Sequence, residues 1–260
     1  MEVAINYTRE PSDPTGRPVK IGWMLNDERT AVIFDPPERL TMRGTQRTHA
    51  KSASRCPAVV NMESRYFVVK CPVDIHVSFG RDKDGKAVLR NCSGNASSIR
   101  AAKLGKMLIL TSEREWRYPD RPTVQLALPY MFVCDESVYL TQVGTFAHYS
   151  ETPLPGTIFG GRFPIDVWPR PLMWAFEWHN TKKDLILKRG QPLFYCQFET
   201  DYPDRAIQMV RAKRTPELTR YVEQIASAVN YVNQTFSLFD AARALRPSRL
   251  LVEDKMNDQI

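Results

Sequence analysis

Few residues in this chain have chemistry beyond packing and charge. Histidine occurs at His49, His76, His148 and His179 only. A metal centre gathers several imidazoles, thiolates or carboxylates at one point, usually with some of them at short spacing. Two candidates stand out. Glu177-x-His179 would share one face of a strand, and His148-x-x-Glu151 lies beside a stretch rich in Pro and Gly. A cupin-like, metal-dependent enzyme could gather His76, His148, Glu177 and His179 from separate strands. The plainer reading is an exposed strand pair and a loop histidine. There is no His-x-His or His-x-Asp pair, so no residue is assigned as a metal ligand and no cofactor is identified. Nucleophilic catalysis has no better support, because Gly-x-Ser-x-Gly is absent and no cysteine lies in an activating setting. The glycine-rich loops that cradle nucleotide phosphates are absent too. No catalytic residue is assigned, and the chemistry leans away from an enzyme.

Binding chemistry is better represented. Residues 156–170 place glycines, Arg162, Asp166, Trp168 and Arg170 in one short stretch. Glycine lets a backbone approach a ligand closely, while Arg and Trp supply charge and a stacking plane. Arg162, Asp166, Trp168, Arg170, Glu177 and His179 are therefore the candidate ligand-binding set. The alternative is a structured loop whose Phe163, Ile165 and Trp168 plug one end of a β body. A second feature is charge. Residues 39–62 contain no acid, and Arg39, Arg43, Arg47, Lys51 and Arg55 recur every four residues. On a helix they would form a basic stripe suited to a nucleic acid or another polyanion. Arg205, Arg211, Lys213, Arg214 and Arg220 form a further cluster. Net charge is +7 and the isoelectric point about 9.2. That balance fits a polyanionic partner, and equally fits solvated faces balanced by Asp35, Glu38 and Glu63.

The elements that must position these residues are mostly strands. Short apolar runs bounded by Pro, Gly, Asn and Asp predict strands over 4–8, 19–24, 31–34, 66–70, 73–79, 87–90 and 107–111. Further strands are predicted over 124–128, 130–134, 138–142, 172–178, 185–188, 193–198 and 206–211. Alternation is clearest at 174–179, where Trp174, Phe176 and Trp178 should face the core and Ala175, Glu177 and His179 the other side. Asp82-Lys83-Asp84-Gly85-Lys86 reads as a hairpin turn. Thr215-Pro216-Glu217 opens a helix, and Leu218, Val222, Ile225, Val229, Val232, Phe236 and Phe239 continue it as a seam with steps of four and three. The flanking positions are not the charged pairs of a solvated coiled coil. The seam therefore predicts docking onto the β body, with a break near 233–235 or a homo-oligomer contact as alternatives.

The fold class expected is mainly β (α+β), a β-sandwich or jelly-roll-like barrel with a long C-terminal α-helix packed on it. Residues 1–214 form the β-rich part, and 215–260 a helix and tail of the same domain. With 260 residues the chain can bury a large core without staples. Five cysteines without a Cys-x-x-Cys pair indicate reduced, mostly buried thiols. Met1 leads into a polar segment and no apolar run approaches the roughly 18 residues of a membrane span, so a cytoplasmic location is expected.

Several short motifs carry a resemblance. They are Arg55-Cys56-Pro57-Ala58-Val59-Val60-Asn61, Cys71-Pro72, Leu128-Pro129-Tyr130-Met131-Phe132, Gly160-Gly161-Arg162, Trp174-Ala175-Phe176-Glu177-Trp178 and Lys188-Arg189-Gly190-Gln191-Pro192. Across residues 55–200 the chain resembles an uncharacterised family of bacterial and phage proteins, a domain of unknown function. The resemblance implies a bacterial or phage origin and a shared architecture around the Gly-rich stretch, and assigns no catalytic residue. The leading expectation is a non-catalytic binding or interaction protein, its ligand or protein partner unidentified. The cupin-like metal enzyme and the polyanion binder are its alternatives.

Overall fold

Runs rich in Val, Ile, Leu and aromatic residues cannot stay solvated, and their spacing lets them pair edge to edge around a common interior. The computed structural model describes residues 16–42, 55–202, 204–228 and 235–254. In chain order the strands begin with β1 (Val19–Leu25), β2 (Glu38–Arg39), β3 (Tyr66–Lys70), β4 (Ile75–Arg81) and β5 (Ala87–Asn91). Next come β6 (Leu108–Leu110), β7 (Thr123–Ala127), β8 (Tyr130–Val133), β9 (Val138–Val143) and β10 (Gly156–Phe159). The last are β11 (Arg162–Pro164), β12 (Met173–Trp178), β13 (Leu185–Leu187), β14 (Pro192–Thr200) and β15 (Ile207–Arg211). The helices are α1 (Pro57–Arg65), α2 (Ala101–Met107), α3 (Pro216–Ala228) and α4 (Thr235–Leu245).

The fold is mainly β, as expected. The strands form four open sheets with the orders β15-β1-β8, β10-β12-β7-β6, β11-β9-β14-β3-β2 and β13-β4-β5. None of these closes on itself, so the barrel alternative does not hold among the described residues. β1 runs parallel to β15 and antiparallel to β8. All four sheets feed one core: Ile21 and Phe132 from the first, Val124 and Trp174 from the second, Phe67 and Phe198 from the third, Ile75 and Leu187 from the fourth.

β8 is buried on both faces. Tyr130 and Phe132 enter that core, while Met131 and Val133 meet Leu218, Tyr221, Val222 and Ile225 of α3 and Leu238 and Ala242 of α4. The sheet β15-β1-β8 is thus a middle layer between the main core and the C-terminal helices. The seam predicted from 218, 222 and 225 does dock on the β body. It does not belong to one long helix. The Tyr221 hydroxyl reaches the carbonyl oxygens of Val167 (2.6 Å) and Ala242 (3.0 Å). In a single straight helix residues 221 and 242 would stand about 31 Å apart, so α3 and α4 fold back on each other. Val229 and Val232 lie outside the described residues. The start of α3 is as expected, with Leu218 donating its backbone N–H to Thr215 Oγ1 at 3.1 Å.

Most predicted strands are present with shifted ends. Residues 31–34 are an exception: a 3₁₀ helix spans Glu28–Ile33 there. Residues 4–8 lie outside the described residues. The Asp82 turn forms with Gly85 at φ 78°, and Asp82 Oδ1 accepts from the backbone N–H groups of Asp84 and Lys86. Among the described residues no helix is long and apolar enough to cross a membrane.

Candidate binding surface on the four-stranded sheet

β12 lies inside the four-stranded sheet, between β10 and β7. Trp174, Phe176 and Trp178 are each 0% exposed, and the Trp174 and Phe176 rings stack at 5.3 Å. This is the inward set the alternation predicts. The outward set is Met173, Ala175 and Glu177, with His179 just past the strand end. Register extends this outer face across the sheet. Ala127, Gln125 and Thr123 of β7 stand opposite Met173, Ala175 and Glu177. Phe159 and Thr157 of β10 stand opposite Ala175 and Glu177, and Ile109 of β6 opposite Gln125. Ile109 is 41% exposed.

Arg170 stands at one end of this face. It is exposed and makes no hydrogen bond, ion pair or ring contact with any described residue. Two grooves share it. One, of about 260 Å³, is lined by Gly160, Gly161, Phe163, Met173 and Ala175 among others. The second, of about 420 Å³, is apolar and lies between Trp168, Pro169, Pro171 and Met173 on one side and Val222, Ile225 and Ala226 of α3 on the other. Glycine is required at position 160, where a Cβ would run into the Gln142 carbonyl of β9.

Glu177 occupies the opposite end, and it is buried rather than solvent-facing (4% exposed). Its Oε1 lies 2.8 Å from His179 Nε2 and 3.7 Å from an Arg121 guanidinium nitrogen. Its Oε2 has no hydrogen-bond partner among the described residues. The Tyr118–Arg121 turn before β7 brings Arg121 there, with its guanidinium 4.3 Å from the Tyr118 ring centroid. Nothing in the spacing of Arg121 and Glu177 along the chain marks this pairing. Only the β7–β12 register shows it.

The other candidates are dispersed. Arg162 is committed within the five-stranded sheet, donating to Glu199 at 3.1 and 2.8 Å and lying 3.8 Å over the Tyr139 ring. Trp168 is buried against Phe239 of α4 and forms a wall of the apolar groove. Asp166 is half-buried beside the same helix. Burial pushes its carboxyl above the usual range, against the opposing pull of Arg246 and Arg243. Ile165 lies in the main core, so part of the segment is the plug the alternative reading describes. Residues 156–170 also contain β10 and β11, which the sequence does not reveal as strands.

The histidines separate. His148 pairs through Nδ1 with the Tyr195 hydroxyl, and burial lowers its pKa. His76 pairs with Asp184, and His179 with Glu177. His76, His148, Glu177 and His179 therefore do not converge. Among the described residues the one group of three or more donors is His76, Cys92 and Asp184.

The basic residues are mostly engaged. Arg39 donates to the carbonyls of Ser64 and Ile207 and lies over the Phe67 ring. Arg55 is exposed just before α1; Arg43, Arg47, Lys51 and His49 lie outside the described residues. Arg205 pairs with Glu136, Arg211 and Lys213 approach Asp254, and Arg214 bonds to Asn26 and Thr219. Compared with known proteins, the chain matches no family model, no curated protein and no solved structure.

Proposed function

We propose that this protein is a non-catalytic binding protein that engages its partner on the outer face of the four-stranded sheet, with Arg170 anchoring an anionic group. The observation that carries this reading is Arg170 itself: an exposed guanidinium without a partner among the described residues, standing between two grooves with apolar walls. A guanidinium fork is matched by a carboxylate, and the neighbouring Trp168, Val222 and Ile225 suit an apolar group beside it. The ligand chemistry is a carboxylate next to an aromatic or aliphatic side chain. Glu177 and His179 supply a second polar point beyond Met173, Glu177 standing four residues, about 13 Å, farther along the strand.

The test titrates the ¹⁵N-labelled protein with N-acetylphenylalanine and with its neutral amide, N-acetylphenylalaninamide. Expected are saturable shifts at Gly160, Gly161, Ala226 and the Arg170 Nε–H, with the carboxylate binding about three-fold more tightly than the amide. In Arg170→Gln that preference disappears. No saturable shift at these positions, or an equal preference in Arg170→Gln, overturns the reading.

The sandwich description of the β body and a reducing, cytoplasmic location belong to the same proposal. What supports the first is the packing of separate sheets on one core, and what supports the second is that all five cysteines are free thiols. Bacterial or phage origin rests on the resemblance over residues 55–200 alone.

A further inference from the structure

We propose that His76, Cys92 and Asp184 form a binding site for a divalent transition metal of the zinc type. The three residues sit at one end of the sheet β13-β4-β5, one on or beside each strand. His76 is the second residue of β4 and is in register with Ile186 of β13, so Asp184, the residue before β13, arrives beside it. Cys92 follows β5 directly, and its backbone N–H donates to the His76 carbonyl at 2.9 Å. Two backbone ladders thus fix the three Cα positions. The donor atoms all lie within 4.8 Å of one another, with His76 Nε2 2.7 Å from Asp184 Oδ2. The His76 and Asp184 side chains are 38% and 39% exposed and Cys92 is exposed, so an ion and a water can enter.

An imidazole nitrogen, a thiolate and a carboxylate oxygen suit zinc or cobalt, and the sulfur disfavours magnesium and calcium. Zinc bonds of about 2.0–2.3 Å at tetrahedral angles place neighbouring ligand atoms about 3.3–3.6 Å apart. The His76–Asp184 contact then has to widen by only about half an ångström for the ion to stand between the two groups. The fourth position is left for water. On binding, Cys92 loses its S–H proton to solvent and His76 offers the Nε2 lone pair, its Nε2 proton leaving or its tautomer changing. Asp184 binds as the carboxylate, so binding releases protons and tightens as pH rises. The three buried thiols are unsuited: burial pushes Cys71 and Cys134 up to about 12 and raises Cys196 as well. The site lies on a different sheet from the Arg170 surface, and either proposal can fail alone.

The test uses the full chain, stripped with chelator and kept reduced, titrated with Co²⁺ and then with Zn²⁺. Expected are a thiolate-to-cobalt charge-transfer band and the intense visible bands of a tetrahedral centre, saturating at one ion per chain and bleached by Zn²⁺. Zinc at a hundred-fold excess over its Kd should raise the melting temperature by about 5–10 °C. Cys92→Ser loses the charge-transfer band, and His76→Gln and Asp184→Asn weaken binding at least ten-fold. Cys56→Ser, at the other exposed thiol, retains all of it. Unchanged metal-free melting temperatures in these variants show that the fold is intact. A reduced wild-type protein without the band, or a Cys92→Ser variant that keeps it, overturns the proposal.

Discussion

The two faces of β12 share one backbone, one pair of hydrogen-bonded neighbours and alternate residues of one six-residue run, yet they do opposite things. The inner face holds Trp174, Phe176 and Trp178, with no exposure, against side chains from the other sheets. The outer face holds Met173 and Ala175, half-buried and lining grooves around an exposed arginine. Strand pairing contributes equally to both, so the difference comes from what stands opposite each face. Wherever three other sheets close over a strand, its side chains become part of the core. Where the covering is partial, with α3 and the Gly160–Gly161 segment standing across open grooves, the side chains remain available to a partner. Glu177 is the exception that locates the boundary: it points outward and is buried all the same, beside Arg121 and His179.

The comparison breaks first at Trp174. Trp174→Ala should cost about 3–5 kcal/mol, because a large side chain leaves a cavity that the surrounding aromatics cannot fill. Urea unfolding should show the midpoint falling with an unchanged slope, whereas Ala175→Ser on the other face stays within about 0.5 kcal/mol. Equal costs at the two positions would show that the faces are not divided as described. Glu177 tests the boundary. Glu177→Ala should cost about 1–3 kcal/mol, less than Trp174→Ala, since it removes a buried carboxylate held by His179 and Arg121. The same unfolding series measures it, and a neutral result would mean that the pair contributes nothing to holding the Tyr118–Arg121 turn in place.

Much of the inner face can be read from sequence, because a period of two with Trp, Phe and Trp on one phase has one stable burial. The same logic locates most strands and the docking of Leu218, Val222 and Ile225. The outer face is less legible. β10 and β11 hide inside residues 156–170 because Gly156, Gly160 and Gly161 weaken any strand signal, and the pairing that makes them strands is non-local. That α4 folds back on α3 is hidden for a related reason: the heptad-like seam runs on through Val229 and Val232 in the sequence, and the contact of Tyr221 with Ala242 is tertiary. The Arg170 surface was half legible. Its residue types stand out in the sequence, and Trp168 does line the groove beside Arg170, but Arg162 and Asp166 face elsewhere, and Arg121 joins Glu177 only through register. Cys92 and Asp184 carry no spacing signal at all, since three strands bring them to His76.

The smallest effect concerns Asp166, the candidate that proved to be neither core nor free surface. Its Oδ1 is buried without a hydrogen-bond partner among the described residues, and burial raises its carboxyl pKa while the backbone N–H groups of Asp166 and Val138, then Arg246 and Arg243, pull the other way. A raised folded-state value means that the folded protein holds this proton more tightly than the unfolded chain does. The contribution to stability is therefore fully present below the unfolded carboxylate value and is lost as pH rises through the raised folded value. At neutral pH the ionised carboxylate is a burden on the loop between β11 and β12. Asp166→Asn keeps the shape and removes the charge, so its melting temperature should exceed that of the wild type by about 1–3 °C at neutral pH. The gain should shrink steadily as the melts are repeated at successively lower pH, as the wild-type carboxyl takes up its proton. A variant less stable than wild type at neutral pH would show that the backbone N–H groups of Asp166 and Val138, with Arg246 and Arg243, favour the carboxylate by more than desolvation opposes it. Asp166 would then belong with the paired charges of the surface, leaving Glu177 as the single buried acid at the edge of the outer face.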